Sequence, residues 1–270
     1  MRVSFERVTV AQTFSLEGVG IHSGHPSDVT VEPGTNGIRF RSGGDWIAAT
    51  PENVSRTPRS TWLGNVRTVE HLMSALGAFG VTDADVTVSA EELPILGGGA
   101  LEYSLSLRSA GTAHLGIWRT ATIFGRVNLT EEGQSVSISA GEGRWKYVFD
   151  AGDRWPGRLE FETSIDAMTY TEQIAPAKTT VFEEEIEAVL AAGLGRGGSE
   201  DNTLVLGSDG YRFGKTFDDE PARHKLLDLM GDLALAGVPL RFLNVSAEKS
   251  GHTLNVKAAA RLAQLCRWED

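Results

Sequence analysis

Apolar and polar residues alternate with a period of two over many short stretches of the chain. Such alternation is typical of strands that bury one face. Glycines separate these stretches, most densely in the first 60 residues, so the connections are expected to be tight turns. The predicted strands are 29–32, 38–41, 84–90, 121–129, 135–140, 145–149, 159–165 and 239–247.

A second spacing, close to 3.6 residues, predicts helices between the strands. The clearest apolar stripe stops at Gly80 and consists of Val69, Leu72, Met73, Leu76 and Phe79. Further helices are predicted at 101–109, 182–192, 222–236 and 253–268. Residues 112–118 are interpreted as a connector. Each half of the chain therefore runs strands, helix, strand, helix.

The two halves match each other at an offset of 157 residues, without a gap. The tetrapeptide at 88–91 is identical to the one at 245–248. The preceding helices align as well, with Leu72, Met73, Leu76, Gly80 and Val81 on Leu229, Met230, Leu233, Gly237 and Val238. Coincidence among common apolar residues is the alternative, but the identical tetrapeptide favours an internal repeat. We therefore expect two similar α+β domains, 1–113 and 117–270, with a site between them.

Composition and charge narrow the class of function. The chain has 270 residues, of which 41% are apolar, enough for a sizeable core. Its 25 Lys and Arg against 36 Asp and Glu give a net charge of -11, so no nucleic-acid partner is expected. The N-terminus has no signal-peptide pattern, and there is no run of 18 apolar residues. The sequence therefore predicts a cytoplasmic protein without a transmembrane segment, and a monomer is favoured.

The single cysteine, Cys266, excludes a cysteine-based zinc site, so any metal must be held by His and carboxylates. His224 and Asp228 are four residues apart on a predicted helix, and Asp232 follows one turn later on the same face. A rigid helix would preorganise such ligands, although a His–Asp ion pair on a wet face explains the same spacing. The internal repeat aligns His71 with Asp228, which would bring the two together near a pseudo-twofold axis.

Two further clusters are candidates for acid–base chemistry. Glu70 and His71 differ by about 100° in helical direction, so His71 could bind a metal while Glu70 acts on the water that the metal activates. A solvated Glu beside a capping or core His is the alternative. His252, between the last strand and the last helix, could be a general acid or a helix N-terminal residue without chemistry.

Other conspicuous segments carry no predicted chemistry. Gly97–Gly99 and Gly195–Gly198 fit neither a phosphate loop nor a dinucleotide fingerprint. The acidic run Glu183–Glu185 is explained by the dipole of the helix that it begins. His22 lies in a turn-rich segment, and only this context hints at a role.

Seven segments, in one order along nearly the whole chain, carry a resemblance to a known family. They are Gly18–Gly24, Thr68–Leu72, Glu92–Ile95, Ala177–Thr179, Gly197–Ser199, Arg223–Asp228 with Gly231–Leu233, and Lys249–His252. Together they resemble the zinc-dependent UDP-3-O-acyl-N-acetylglucosamine deacetylases of lipid A biosynthesis. The resemblance implies two α+β domains, each with a sheet and two helices, packed helix to helix with the active site between them.

The resemblance also implies roles for individual residues. It places one zinc ion per chain on His71, His224 and Asp228. The implied catalytic residues are Glu70 as general base, His252 as acid or electrostatic stabiliser, Asp232 as its supporting carboxylate, Thr179 as the hydroxyl that stabilises the oxyanion, and Lys225 as a cation on the diphosphate side.

For the substrate, an acylated UDP-sugar, the resemblance implies two binding regions. Lys249 would contact the nucleotide phosphates. An acyl passage falls on 182–205, where Ile186, Leu190 and Leu194 recur at helical spacing and Gly198 follows. The alternative is that this apolar stripe faces the core.

The chain departs from the family pattern in segments for substrate recognition, while the metal and base positions are intact. Gly97 stands where the family usually has Asp, the insert at 41–53 is short, and 166–171 is contracted without a clear aromatic for uracil. Removal of the N-acetyl group from UDP-3-O-acyl-N-acetylglucosamine is the favoured function. A zinc amidohydrolase for another N-acetylated sugar or nucleotide, and a non-catalytic zinc-binding protein, are the alternatives.

Overall fold

A computed structural model describes residues 1–269; Asp270, the last residue of the predicted second domain, lies outside the described residues. The elements of the first half are β1 (Arg2–Val10), β2 (Phe14–Val19), β3 (Pro26–Pro33), β4 (Ile38–Arg41), β5 (Ile47–Ala48), β6 (Val54–Arg56), β7 (Trp62–Leu63), β8 (Val66–Arg67), α1 (Glu70–Ala78), β9 (Ala84–Val88) and α2 (Leu101–Ala110).

The second half continues without a break from α2. Its elements are β10 (Thr112–Ile123), β11 (Arg126–Glu131), β12 (Gln134–Ala140), β13 (Arg144–Asp150), β14 (Arg158–Ser164), α3 (Ala167–Gln173), β15 (Thr179–Phe182), α4 (Ile186–Ala191), β16 (Thr203–Leu206), α5 (Glu220–Ala234), β17 (Leu243–Glu248), α6 (His252–Leu265) and β18 (Cys266–Glu269).

The two halves contain five-stranded sheets of the same topology. The strand orders are β2-β3-β9-β4-β5 and β11-β12-β17-β13-β14. In each sheet the central strand, β9 or β17, is antiparallel to one neighbour and parallel to the other. Val88 and Val245, which the offset of 157 residues aligns, both lie on these central strands. The internal repeat and the α+β class are therefore confirmed.

The alternation of side chains gives each sheet one buried face. On β9, Ala84, Val86 and Val88 are buried, and Asp85 between them pairs with Arg39 at 2.7 Å on the other face. Because successive side chains of a strand point to opposite faces, the apolar set packs inward as a unit. The sheets thus supply the surface against which the helices pack.

The central helices of the two halves, α1 and α5, cross at very close range. A Cβ atom on Gly231 would lie 2.0 Å from the carbonyl oxygen of Glu70, so only glycine fits on α5 at this crossing. Every residue from Glu70 to Leu76 is buried, as expected for a helix enclosed on all sides. The contact brings the N-terminal turn of α1 against the middle of α5, where Asp228 lies.

The prediction of a connector at 112–118 is wrong. These residues form the first part of β10, which pairs with β1 from Arg2–Thr122 to Val10–Thr112. Most of this part is exposed, so it carries no apolar alternation, and its structure comes from the ladder with β1. The proposed boundary between the domains falls inside this continuous strand, and the division into two domains stays a prediction.

Several other boundaries also differ. The last helix ends at Leu265 rather than 268, and β18 follows and pairs with β10. Within the helix predicted at 182–192, only the six residues of α4 are α-helical, and a 3-10 turn at Glu183–Glu185 precedes them. The strand predicted at 239–247 begins at Leu243. Helix α3 was not predicted from the sequence, although Asp166 caps it by accepting from the backbone N–H groups of Met168 and Thr169.

No helix within residues 1–269 combines the length and the apolar character needed to cross a membrane.

Candidate metal centre and active site

Three buried side chains from the two central helices converge on one point. His71 comes from α1, and His224 and Asp228 come from α5. The Nε2 atoms of the two histidines lie 3.6 and 3.5 Å from Oδ1 of Asp228, and the ring centroids are 5.1 Å apart. One ligand atom from each residue lies within 4.8 Å of the others. The helix crossing thus assembles a group that could hold a metal ion.

Backbone carbonyls fix the orientation of both imidazoles. Nδ1 of His71 donates to the carbonyl oxygen of Gly99 at 3.0 Å, and Nδ1 of His224 donates to that of Ala177, also at 3.0 Å. Because a carbonyl only accepts, the proton is on Nδ1 and the lone pair of Nε2 faces Asp228. This arrangement is usual around histidine ligands of metals, since the second hydrogen bond fixes tautomer and ring angle.

The charge states also suit a cation. Burial lowers the pKa of His224 to about 3 and lowers that of His71, so both rings are neutral near pH 7. Burial favours the neutral form of Asp228, but Lys225 and the nearby histidines outweigh it and lower the pKa of this carboxyl. The site therefore offers two neutral nitrogens and one carboxylate.

Asp228 has one oxygen that nothing in the described residues satisfies. Oδ2 accepts from Nζ of Lys225 at 2.8 Å, whereas Oδ1 is buried without a hydrogen-bond partner. An unpaired buried carboxylate oxygen is costly, and the two Nε2 lone pairs converge on it. Two imidazoles and a carboxylate are a common three-residue ligand set for catalytic zinc, so the residues fit such an ion.

Glu70 and His252 form an acid–base pair beside these three residues. Oε1 of Glu70 lies 3.8 Å from Nε2 of His252. Burial raises the pKa of Glu70 to about 8. Burial alone would lower the pKa of His252, but Asp232, Glu70 and Asp228 outweigh it and raise this pKa to about 9. One buried base and one buried cationic acid, close together, are suited to general acid–base catalysis.

Glu70, Asp228 and His252 form a second group of possible ligands within 4.8 Å. His252 is the weaker candidate for metal binding because its raised pKa keeps the imidazole protonated. Its Nδ1 lies 2.9 Å from Oδ2 of Asp232, which holds the ring from behind. The group of His71, His224 and Asp228 is therefore the better metal site.

Both groups of possible ligands line a cavity of about 620 Å³. The predicted site residues that line it are Glu70, His71, Thr179, Ile186, Leu190, Gly198, His224, Lys225, Asp228 and His252. An apolar part of the wall adds Ile21, Ile95, Val181, Val189, Val205 and Phe213. The lining of the cavity thus combines the polar, metal-binding residues with a set of apolar side chains, which suits a ligand with a polar head and an apolar chain.

Three predicted site residues are absent from this wall. Asp232 is fully buried behind His252. Leu194 lies beyond the end of α4 at Ala191, so the helical spacing that suggested it does not continue that far. Lys249 lies at the surface with Nζ 3.7 Å from Oδ2 of Asp150.

The sequence of this chain is similar to those of known proteins over most of its length. A family model described as UDP-3-O-acyl N-acetylglycosamine deacetylase (LpxC) matches residues 7–264. The chain is 36% identical over 276 residues to UDP-3-O-acyl-N-acetylglucosamine deacetylase of Aquifex aeolicus, covering 95% of this chain and 92% of that protein. The chain belongs to the UDP-3-O-acyl N-acetylglycosamine deacetylase family.

Other members of the deacetylase family match over similar lengths. The proteins of the same name from Anaeromyxobacter dehalogenans and Campylobacter hominis are 34% and 30% identical, and each match covers 93% of this chain. The matches cover 85% and 90% of those two proteins. The resemblance inferred from seven short segments is therefore confirmed at the level of the family.

The departures from the deacetylase family pattern can now be located. A Cβ atom on Gly97 would lie 2.6 Å from Oε1 of Glu102, so a carboxylate from α2 occupies the space of the missing side chain. The contracted segment after Ile165 forms α3, and its aromatic residue, Tyr170, is buried with its hydroxyl donating to Ser74 at 2.8 Å. Tyr170 therefore does not face a ligand.

The two glycine-rich segments at 18–24 and 195–198 dock on each other at the cavity wall. A Cβ atom on Gly197 would lie 2.3 Å from the carbonyl oxygen of Gly20. Between them, Nδ1 of His22 accepts from the N–H of Gly195, and its Nε2 donates to the carbonyl of Arg59, both at 3.3 Å. Burial lowers the pKa of His22 to about 4, so the ring is neutral as these bonds require. His22 thus joins the two halves.

The acidic run Glu183–Glu185 forms a single 3-10 turn before α4, and ion pairs hold it. Glu183 pairs with Arg212, and Glu184 pairs with Arg154. Glu185 pairs with Arg154 at 3.0 Å and with Arg59 at 3.3 Å, which connects the second half to the loop before β7. These partners are distant in sequence, so spacing alone did not indicate them.

Left-handed backbone conformations are concentrated around the site. Five non-glycine residues within the described part of the chain have φ between 49° and 65°. Arg59 and Thr68 line the cavity, and Leu96, Glu132 and Lys249 each lie within two residues of a residue that does. Non-glycine residues in this region are strained, and such strain is commonly found at functional sites.

Proposed function

We propose that this protein is a zinc-dependent hydrolase that removes the N-acetyl group of UDP-3-O-acyl-N-acetylglucosamine, giving acetate and UDP-3-O-acyl-glucosamine in lipid A biosynthesis. The observation that carries the proposal is the convergence of His71, His224 and the unpaired oxygen of Asp228 beside the pair of Glu70 and His252. The substrate named for the family and for its relatives supports the choice of substrate.

Zinc bound by His71, His224 and Asp228 would act as a Lewis acid on the acetamide carbonyl and lower the pKa of water. Glu70 would take a proton from the attacking water. Its raised pKa, about 8, makes it a stronger base than an exposed carboxylate while leaving part of it ionised near neutrality. Its position on α1 directly before His71 keeps the base beside the metal site.

His252 would donate a proton to the departing nitrogen. Its pKa, about 9, keeps the ring protonated at neutral pH, and Asp232 holds Nδ1 so that Nε2 faces Glu70. The addition of water across the C–N bond then gives acetate and the free amine, and the proton that Glu70 took compensates for the one that His252 gave. Asp232 acts only through His252 and is a positioning residue.

Two other residues would act on the charge of the substrate. The hydroxyl of Thr179, on the cavity wall at the start of β15, would donate to the oxyanion that forms as the carbonyl is attacked. Lys225 bonds Asp228 at 2.8 Å and also reaches the cavity, so its charge would favour the diphosphate side of the substrate.

The acyl chain would pack against the apolar side chains that line the cavity. Ile186 and Leu190 of α4 and Gly198 are among the residues that line the cavity, which supports this placement. Leu190 is also 48% exposed, so it would contact the part of a long chain that is nearest to solvent. Lys249 would meet the nucleotide phosphates from outside the cavity, where its present partner is Asp150.

Hydrolysis of a different N-acetylated sugar or nucleotide by the same residues is the second candidate. It is favoured by Gly97 in place of the usual Asp and by the burial of Tyr170, because both changes affect recognition and leave the metal site intact. A non-catalytic zinc protein is the third candidate, and it predicts that Glu70→Gln changes no measurable property.

The test is amine release by zinc-loaded protein from UDP-3-O-acyl-N-acetylglucosamine and, in parallel, from unacylated UDP-N-acetylglucosamine. We expect faster turnover of the acylated compound and none above background with Glu70→Gln. Leu190→Ser should remove the preference for the acylated compound. Leu105 is 40% exposed and does not line the cavity, so the control variant Leu105→Ser should keep this preference. Bound zinc without turnover of either compound would overturn the proposed substrate.

A further inference from the structure

One buried residue outside the predicted site contacts both members of the acid–base pair. Thr61, which is 1% exposed, is the last residue of the loop between β6 and β7. Its backbone N–H donates to Oε2 of Glu70 at 3.0 Å, and its carbonyl accepts from the N–H of Val69 at 3.3 Å. The backbone of Thr61 therefore holds the first turn of α1 and the carboxylate of Glu70.

The side chain of the same residue reaches the other two helices. Oγ1 of Thr61 donates to Oδ1 of Asp232 on α5 at 2.5 Å, and it lies 3.2 Å from Nδ1 of His252 on α6. The other oxygen of Asp232 meets Nδ1 of His252 at 2.9 Å and Nδ2 of Asn255 at 3.0 Å. Asp232 is thus fixed on both oxygens, and Thr61 supplies the only hydroxyl among the groups that bond it in the described structure.

We propose that Thr61 is a positioning residue that sets the geometry of Glu70 relative to His252 through its bonds to Glu70 and Asp232. The inference rests on the proposed function, since it assigns Thr61 to that reaction. Without its hydroxyl, Oδ1 of Asp232 would lose a buried donor, and the carboxylate would rotate or recruit water to satisfy it. The imidazole that Asp232 holds would follow, and the distance of 3.8 Å between Nε2 and Oε1 of Glu70 would change.

The choice of substitution separates the two functions of Thr61. Thr61→Val keeps the shape and the backbone N–H to Glu70 but removes the hydroxyl, so it perturbs only the Asp232 side. Thr61→Ser restores the hydroxyl. Ser60→Ala is the matched control, because Ser60 is 0% exposed, accepts from Nε of Arg67 at 3.0 Å and bonds neither Glu70 nor Asp232.

We expect Thr61→Val to lower kcat by about 10–100-fold, the usual effect of losing a partner of this kind, with KM within about twofold. The unchanged KM is expected because Thr61 does not line the cavity. Thr61→Ser and Ser60→Ala should stay within about threefold of the wild type in kcat. Rates are normalised to bound zinc, so that a loss of folded protein does not imitate a loss of turnover. Wild-type kcat in Thr61→Val, or an equal loss in Ser60→Ala, would overturn the inference.

A second readout needs no substrate. The Nδ1–H proton of His252, assigned by comparison with His252→Asn, is followed in imidazole ¹H–¹⁵N spectra of the zinc-loaded protein. We expect its resonance to move in Thr61→Val and to keep its position in Thr61→Ser and Ser60→Ala. If Thr61→Val does not fold, Thr61→Ala provides the same comparison. An unmoved resonance would refute the inference even if the substrate were a different one, whereas an inactive wild type with a moved resonance would refute only the proposed function.

Discussion

Replacing Gly231 with alanine tests the idea that close contact between α1 and α5 assembles the metal site. The added Cβ would lie 2.0 Å from the carbonyl oxygen of Glu70, 2.7 Å from its carbonyl carbon and 2.9 Å from its Cα. All three atoms are backbone, so no side chain can move aside. Contacts below 3.0 Å essentially never occur for a real Cβ, so the helices must separate by about 1 Å.

This displacement acts directly on the ligands, because the distance of 3.6 Å between His71 and Asp228 spans the two helices. Metal–ligand distances tolerate about 0.2 Å, so a shift of ~1 Å should weaken zinc binding strongly. A misplacement of that size can lower turnover by about 100-fold. Overpacking should cost about 1–3 kcal/mol in the free energy of unfolding, partly offset by the ~1 kcal/mol better helix propensity of alanine.

Gly77→Ala is the matched control. Gly77 also lies on a central helix, but its Cβ would meet side-chain atoms only: Cδ1 and Cγ of Leu240 at 2.7 and 3.2 Å, and Cβ of Ala234 at 3.4 Å. Both variants gain the same helix propensity, so their difference isolates the backbone overlap. The measurements are zinc affinity by chelator competition, kcat/KM, and urea unfolding. Wild-type zinc affinity and activity in Gly231→Ala, with the stability of Gly77→Ala, would refute the reasoning.

Three further predictions concern the site. Glu70→Gln should lower turnover by about 10²–10⁴-fold with zinc content unchanged, as measured by metal analysis beside the rate assay; loss of zinc would instead make Glu70 a ligand. Asp228→Asn should weaken zinc binding by more than about 100-fold in chelator competition, and an unchanged affinity would remove Asp228 from the ligand set. The pKa of His22 is lowered to about 4 by burial, whereas the unfolded chain takes up this proton near pH 6.5, so the free energy of unfolding should fall as the pH drops from 6.5 towards 4. His22→Gln should show a smaller loss of stability over that range in urea unfolding of metal-free protein, and equal slopes would contradict the assignment.

The sequence was most informative where residues close in the chain act together. Glu70 and His71 are neighbours, and His224 and Asp228 are one helical turn apart, so their shared location was visible from spacing. The resemblance then combined the two pairs into one site. The match at an offset of 157 residues likewise predicted two similar α+β halves, and the structure shows that Val88 and Val245 both lie on the central strands of sheets with the same strand order.

The residues that sequence reasoning missed act through contacts that cross the chain. Thr61 is separated from Asp232 by 171 positions and holds it by one hydroxyl, and no local pattern marks such a bond. Asn255 bonds the same carboxylate and was missed for the same reason. The role of His22 depends on Gly195 in the other half. β10 was partly missed because an exposed strand shows no apolar alternation.

The left-handed residues around the cavity have a consequence for engineering. Each costs on the order of 1–3 kcal/mol, and the five together are comparable with the ~5–15 kcal/mol net stability of a typical domain. A search for heat-resistant variants would therefore find its largest gains beside the catalytic residues, where relaxing the backbone would also disturb them. One of them, Glu132, is exposed and does not itself line the cavity; it lies with Gly133 in the turn between β11 and β12, where both φ angles are positive. Glu132→Asn suits that turn and should add about 1 kcal/mol without loss of turnover, so thermostability and activity can be improved separately there.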